Sequence, residues 1–209
     1  MSEEKFVEWC DSHNRAEWVD GEVIVMPAAV RTDHADIVAF LVTLLRVFAG
    51  RRKLGKVLAE PYQVRFGAIS RRRSPDVIFV SRNRRSLFKE AHFEGATDLA
   101  VEVVSDESQS RDRREKYLEY EAVGVREYWI IDPLIRDVEM HVLTAGKFSP
   151  VTESAGWLRS EVLSDFFLRP AWFWQPELPE PLDALAEVDA IKDIPGPSSP
   201  PPLRSDNQT

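Results

Sequence analysis

A chain of 209 residues, 44% hydrophobic and 30% charged, can bury one proper core and leaves little for a second large domain. Its single cysteine, Cys10, excludes an intrachain disulfide and suits a reducing cytoplasm. The acidic start, Met-Ser-Glu-Glu-Lys, and the lack of any apolar run of bilayer length point to a soluble protein with no membrane partner. The net charge of -8 hides a strong asymmetry: between residues 44 and 89, thirteen Lys or Arg face only Glu60 and Asp76, a local +11 that leaves -19 elsewhere. Phosphate attraction follows the local field, so this segment predicts either a basic face or a solvated surface with arginine-rich loop tips.

In chain order, residues 4–12 suit a short helix, and Cys10 with His13 makes a lone Cys-x-x-His pair, a weak zinc signal without a second pair. Residues 17–25 alternate around Asp20-Gly21 and predict two strands joined by a tight turn. Thr32 or Asp33 can cap a helix running to about Ala49 and stopped by Gly50, with Ile37, Val38, Leu41, Leu44, Leu45 and Phe48 at helical spacing. Strands are predicted at 56–59, 62–66, 75–80 and 98–105, with Arg71-Arg72-Arg73 in a turn between two of them. A helix is predicted over 109–123, ended by Gly124, and strands over 127–131 and 138–143. Residues 157–169 suit a last short strand with its capping segment, and Trp172-Phe173-Trp174 a core edge or a dimer contact. The sequence thus divides into one domain, 1–174, and a proline-rich acidic tail, 175–209. The tail is read as largely flexible, with Leu182, Leu185 and Val188 able to form one docking turn of helix.

Two acids beside apolar strands carry the chemical signal. Asp76 precedes Val77 to Val80, although Ser74-Pro75-Asp76 also suits a turn that opens a strand. Glu102 lies among Val101, Val103 and Val104, where a glutamate is rare unless it ligates a metal or is paired with one of the many arginines. Two carboxylates about 4 Å apart repel by roughly 4 kcal/mol at an effective dielectric near 20, and a divalent cation removes that conflict. Asp112, Lys116 and Tyr120 are spaced i, i+4, i+8 along one helical face that follows the Glu102 strand, so Lys116 can reach the same pocket. Two acids and water suffice for Mg²⁺, and an ammonium beside it can orient a water and neutralise a phosphate oxygen, which is what phosphodiester hydrolysis requires. His34 in the first helical turn, Asp112 and Tyr120 are accessory candidates, with structural capping, a solvated Asp-Lys pair and core packing as the alternative accounts.

In combination, several pieces of the chain resemble the Uma family of restriction-endonuclease-like proteins, a branch of the PD-(D/E)XK nuclease superfamily. They are Glu17-Trp-Val-Asp-Gly-Glu22, Met26-Pro27, His34, Pro75-Asp76, Asp98-Leu-Ala-Val-Glu-Val-Val-Ser105, Asp112 with Lys116 and Tyr120, and Gly124-Val-Arg-Glu-Tyr-Trp-Ile-Ile-Asp-Pro133. The resemblance implies an α/β (α+β) fold with a restriction-endonuclease-like core, a central mixed β-sheet flanked by helices. It implies Asp76 and Glu102 as metal ligands, the Val103 carbonyl as a third, and Glu17 as the accessory acid. Val104 stands where the superfamily usually has its lysine, and Lys116 would serve from the helix instead. The expected activity is Mg²⁺-dependent hydrolysis of DNA phosphodiesters, with Mn²⁺ as a substitute ion, by a cytoplasmic homodimer. Arg71, Arg72, Arg73 and Arg82 are the expected contacts to the nucleic-acid backbone. The alternatives are a catalytically silent nuclease fold used for binding or assembly, and a metal-dependent hydrolase of RNA or nucleotides.

Overall fold

The Asp20-Gly21 turn joins the first two strands with both residues at positive φ, 52° and 91°, the backbone that Asp-Gly supplies at small steric cost. In the computed structural model, residues 1–10, 15–26, 29–105 and 111–191 are described, with side chains from residue 114 in the last stretch. His13, Pro27 and the tail beyond 191 lie outside the described residues, as does the Asp112 side chain. The elements run α1 (Glu3–Cys10), β1 (Ala16–Val19), β2 (Glu22–Val25), α2 (Thr32–Arg51), β3 (Gly55–Ala59), β4 (Gln63–Phe66), β5 (Arg71–Arg73), β6 (Val77–Ser81), β7 (His92–Glu94) and β8 (Leu99–Val103). A π-helical stretch, Arg111–Lys116, then leads into α3 (Tyr117–Val123), followed by β9 (Glu127–Asp132), β10 (Asp137–Thr144), β11 (Lys147–Pro150), β12 (Leu158–Arg159), β13 (Phe167–Leu168) and α4 (Pro181–Ala190).

The expected central mixed sheet is six-stranded, in the order β11-β10-β9-β8-β6-β3. Within this sheet only β8 and β9 pair in parallel, and the helical connection between them puts the start of α3 near the carboxyl end of β8. Alternation along β8 sends Leu99, Val101 and Val103 into a core with α2 and α4, and Ala100 and Val104 into a second core with α3 and the smaller sheet β2-β1-β5-β4-β7. With both faces covered, β8 is buried at every position, and Glu102 among them is 3% exposed.

Several boundaries differ from the sequence reading. Arg31 precedes α2 without a side-chain cap, and the helix continues through Gly50 to Arg51. Arg71-Arg72-Arg73 is a strand, not a turn: β5 pairs with β1 and β4, because acids elsewhere in the chain neutralise its side chains. Trp172 and Phe173 pack edge-on against Phe40, so this cluster is core edge. The domain also runs past Trp174. Pro181 opens α4, and Ala184, Leu185 and Val188 form a buried stripe against α2, which the acidic, proline-rich average of 175–209 conceals. Leu182, expected to dock with them, is exposed. Among the described residues no helix is long and apolar enough to cross a membrane.

Candidate active site

The antiparallel register of β6 and β8 pairs Val77 with Val101, so one step further Asp76 stands opposite Glu102. Asp76 lies just before β6 begins, and its carboxylate caps the ladder: Oδ2 accepts the Val103 N–H at 2.6 Å. Oδ1 faces His34 Nε2 at 3.3 Å, and the Val103 backbone adjoins the same imidazole. Burial opposes protonation of His34, but the Asp76 carboxylate, helped by Glu60 and the Val103 carbonyl, outweighs it and raises its pKa above the ordinary value. Thus Asp76, the Val103 carbonyl and His34 meet at one point, at the junction of α2 with the ends of β6 and β8.

Glu102 makes the other half. Its Oε1 accepts the Tyr120 hydroxyl at 2.7 Å and its Oε2 the Lys116 ammonium at 2.8 Å. Lys116 is 2% exposed, so it turns inward from the helical segment as its spacing with Tyr120 predicts. Tyr120 is buried, and burial together with the Glu102 charge pushes its phenol well above the usual range. Glu17 comes from β1, fully buried, with Oε1 3.6 Å from Lys116 Nζ and accepting the Ser74 N–H, and Oε2 2.7 Å from Arg73 Nη1. Burial alone would raise the Glu17 pKa, yet the charges of Lys116 and Arg73 and the Ser74 hydrogen bond together bring it down to about 2.

Of the expected site residues, the structure brings together Asp76, Val103 and His34, and joins Glu102, Lys116, Tyr120 and Glu17 in an adjacent network. The four expected phosphate contacts separate. Arg73 is fully buried between Glu17 and Glu119, Arg72 is bound to Glu3, and Arg71 joins Asp20 and Glu119. Three arginines expected on nucleic acid are therefore committed within the protein, Arg73 beyond any solvent contact, and of the four Arg82 alone is exposed with no such partner among the described residues. Sequence reasoning missed Glu119, although it lies three residues after Lys116 on the same helical face.

Among the described residues no three His, Cys, Asp or Glu side chains are grouped to hold a metal by themselves. The donors present, two carboxylates and a strand-end carbonyl, are hard oxygens of the kind Mg²⁺ takes alongside water. His34 Nε2 faces Asp76, and the Lys116 ammonium faces Glu102.

A family model described as "Putative restriction endonuclease", Uma2, matches residues 3–171. The chain belongs to the Uma2 family. The fold has a counterpart in the solved structure of a "putative nuclease belonging to DUF820" from Anabaena variabilis, with a TM-score of 0.70 and 16% identity over 83% of this chain and 97% of that one. No curated protein matches. Family and fold together make this Uma2 chain restriction-endonuclease-like, and the elements that frame the site, from β1 to β9, lie inside the matched span.

Proposed function

We propose that this Uma2 protein is a Mg²⁺-dependent nuclease that hydrolyses DNA phosphodiester bonds. The observation that carries the reading is the buried Lys116 ammonium 2.8 Å from Glu102, on the strand whose partner position is Asp76. Asp76, Glu102 and the Val103 carbonyl would hold the ion. When bound, the ion lowers the pKa of a coordinated water and offsets charge developing on the phosphoryl group. The rest is done by the chain itself. Lys116 is placed to orient the attacking water and to neutralise a non-bridging phosphate oxygen, with Glu17 keeping it charged and fixed from behind. Tyr120 holds Glu102 in its rotamer from the opposite side.

The test is a Mg²⁺ or Mn²⁺ cleavage assay on supercoiled, linear and single-stranded DNA and on RNA, run beside Asp76→Ala and Glu102→Ala, with ion binding followed by calorimetry. Loss of ion binding and of cutting in both variants is expected. Lys116→Met should keep ion binding while cutting falls by roughly 10²-fold or more, the scale of removing one stabiliser of developing charge. Equal background activity in all proteins would remove the assignment. Cleavage of RNA with DNA untouched would redirect it. No ion binding by the wild type favours a silent fold, held by contacts such as His34 with Asp76 and Lys116 with Glu102.

A further inference from the structure

Four cations, Lys53, Lys56, Arg82 and Arg85, line an open recess with Gly50 and Gly55, beside the C-terminal end of α2. No acid lines it, all four cations are exposed, and among the described residues none of the four has a carboxylate partner. Many arginines elsewhere in this acidic chain are matched, Arg15 with Glu60, Arg65 with Glu3 and Glu94, Arg84 with Asp98, and the β5 arginines as above, and what sets the recess apart is four unmatched cations around one hollow. Like charges gathered without acids around one hollow repel one another, and an anion is what relieves them.

The recess is built, not left over. A Cβ on Gly55 would stand 2.1 Å from the Val80 carbonyl oxygen and 2.7 Å from the Phe79 ring, so only glycine lets β3 pass this close to β6. That contact sets Lys56 opposite Val80, and the Arg82 N–H bonds the Leu54 carbonyl at 2.8 Å, tying the two walls together. The Lys56 ammonium lies 5.0 Å from the centre of the Phe88 ring, which restricts its stem. Two guanidinium forks and two ammonium groups suit phosphate oxygens, the arginines by paired N–H donors and the lysines as point charges.

Its place separates it from the candidate active site. Gly55 pairs with Ser81 at one end of the β3–β6 ladder, while Asp76 precedes Val77 at the other. At about 3.3 Å per residue, Asp76 and Ser81 are roughly 17 Å apart along this strand. One strand of DNA places a phosphate about every 3.4 Å along the axis, so the recess lies on the order of five nucleotides from the site.

We propose that this recess is a phosphate exosite that grips the backbone of the nucleic acid away from the point of cleavage, an inference that rests on the nuclease reading above. The test measures binding, without divalent ions, of a long duplex of about 25 base pairs and a short fragment of about 3 nucleotides, at about 7 Å too short to span both positions. The proteins are wild type, the triple variant Lys53→Ala/Arg82→Ala/Arg85→Ala, the single reversal Arg85→Glu, and Asp76→Asn. Wild type and Asp76→Asn should bind the long duplex at least tenfold more tightly than the short fragment. The triple variant should lose that advantage at an unchanged melting temperature, its salt dependence flattened by about 0.9 for each phosphate contact removed. Arg85→Glu should lose part of it.

Unchanged affinity and salt slope in the triple variant overturn the exosite and leave the nuclease reading standing. Recess-dependent binding by a wild type that never cuts supports the exosite and sinks the nuclease reading. Saturable binding of inorganic phosphate with no gain from duplex length shows a free-anion site and overturns the proposal.

Discussion

Arg71-Arg72-Arg73 and Arg82-Asn83-Arg84-Arg85 lie within fifteen residues of one another and look alike in the sequence, yet they end in opposite environments. The first run becomes β5, and its guanidinium groups point into carboxylates: Arg73 into Glu17 and Glu119, Arg72 into Glu3, Arg71 into Asp20 and Glu119. In the second run Arg84 finds Asp98, while Arg82 and Arg85 face solvent beside Lys53 and Lys56. What separates them is the return of acids from distant parts of the chain. A basic run therefore marks phosphate contact only where no such acid arrives.

The comparison predicts its largest effect at Arg73. Replacing it by methionine keeps much of the volume but leaves Glu17 and Glu119, both buried, short of a cation, at a cost of about 3–5 kcal/mol. Urea unfolding followed by circular dichroism should show a midpoint shift of that size. A loss under about 1 kcal/mol would mean that Lys116 and Arg71 suffice to neutralise the two acids, and the contrast between the runs would fail.

Where the physics is local, the site is legible in the sequence. Glu102 stands out because its neighbours are apolar on both sides, the i, i+4 spacing carries Lys116 and Tyr120 inward, and Asp76 opens a strand whose register with β8 follows from antiparallel pairing. The apolar stripe of α2 is legible for the same reason. What is not legible depends on partners remote in sequence. Glu119 lies 46 residues from Arg73, and Glu17 lies 56 residues from it on the other side, so nothing near β5 announces that its charges will be cancelled. Likewise α4 hides in an acidic, proline-rich average, because only a few of its residues touch the core. Composition describes the tail; the Ala184, Leu185 and Val188 stripe describes the helix.

The pairing of Glu17 gives the next effect, one that the exposed cations cannot show. Its carboxyl titrates at about 2 in the folded protein against an ordinary 4.5, because Lys116 and Arg73 outweigh its burial. As pH falls, the unfolded chain takes up that proton first. The contribution is therefore complete above about 4.5 and drains away as pH drops towards 2, by roughly 3 kcal/mol at about 1.4 kcal/mol per pH unit. Glu17→Gln removes the titrating group, so its stability should change less steeply between pH 4.5 and 2 than that of the wild type. Parallel curves for the two proteins would show that the Glu17 carboxyl titrates no lower in the folded protein than in the unfolded chain, so that Lys116 and Arg73 do not outweigh its burial.

The smallest effect belongs to Arg82, and it tests the other side of the comparison. Its guanidinium is exposed and has no carboxylate partner among the described residues, so Arg82→Ala should move unfolding stability by no more than about 0.5 kcal/mol. A rival account exists for the whole recess: cations near the C-terminal end of α2 are favoured by the helix dipole, a structural role worth about 0.3–1 kcal/mol per charge at low salt. The two accounts part on salt. If the dipole holds Arg82 in place, its loss should cost more at low ionic strength than at high, because screening removes that term. If the recess is kept open for phosphate, losing Arg82 should not lower stability without ligand at either ionic strength. The recess cations repel one another, so removing one should even raise stability slightly at low salt. Chemical denaturation in urea at low and at moderate salt, with wild type and Arg82→Ala side by side, reads that sign directly.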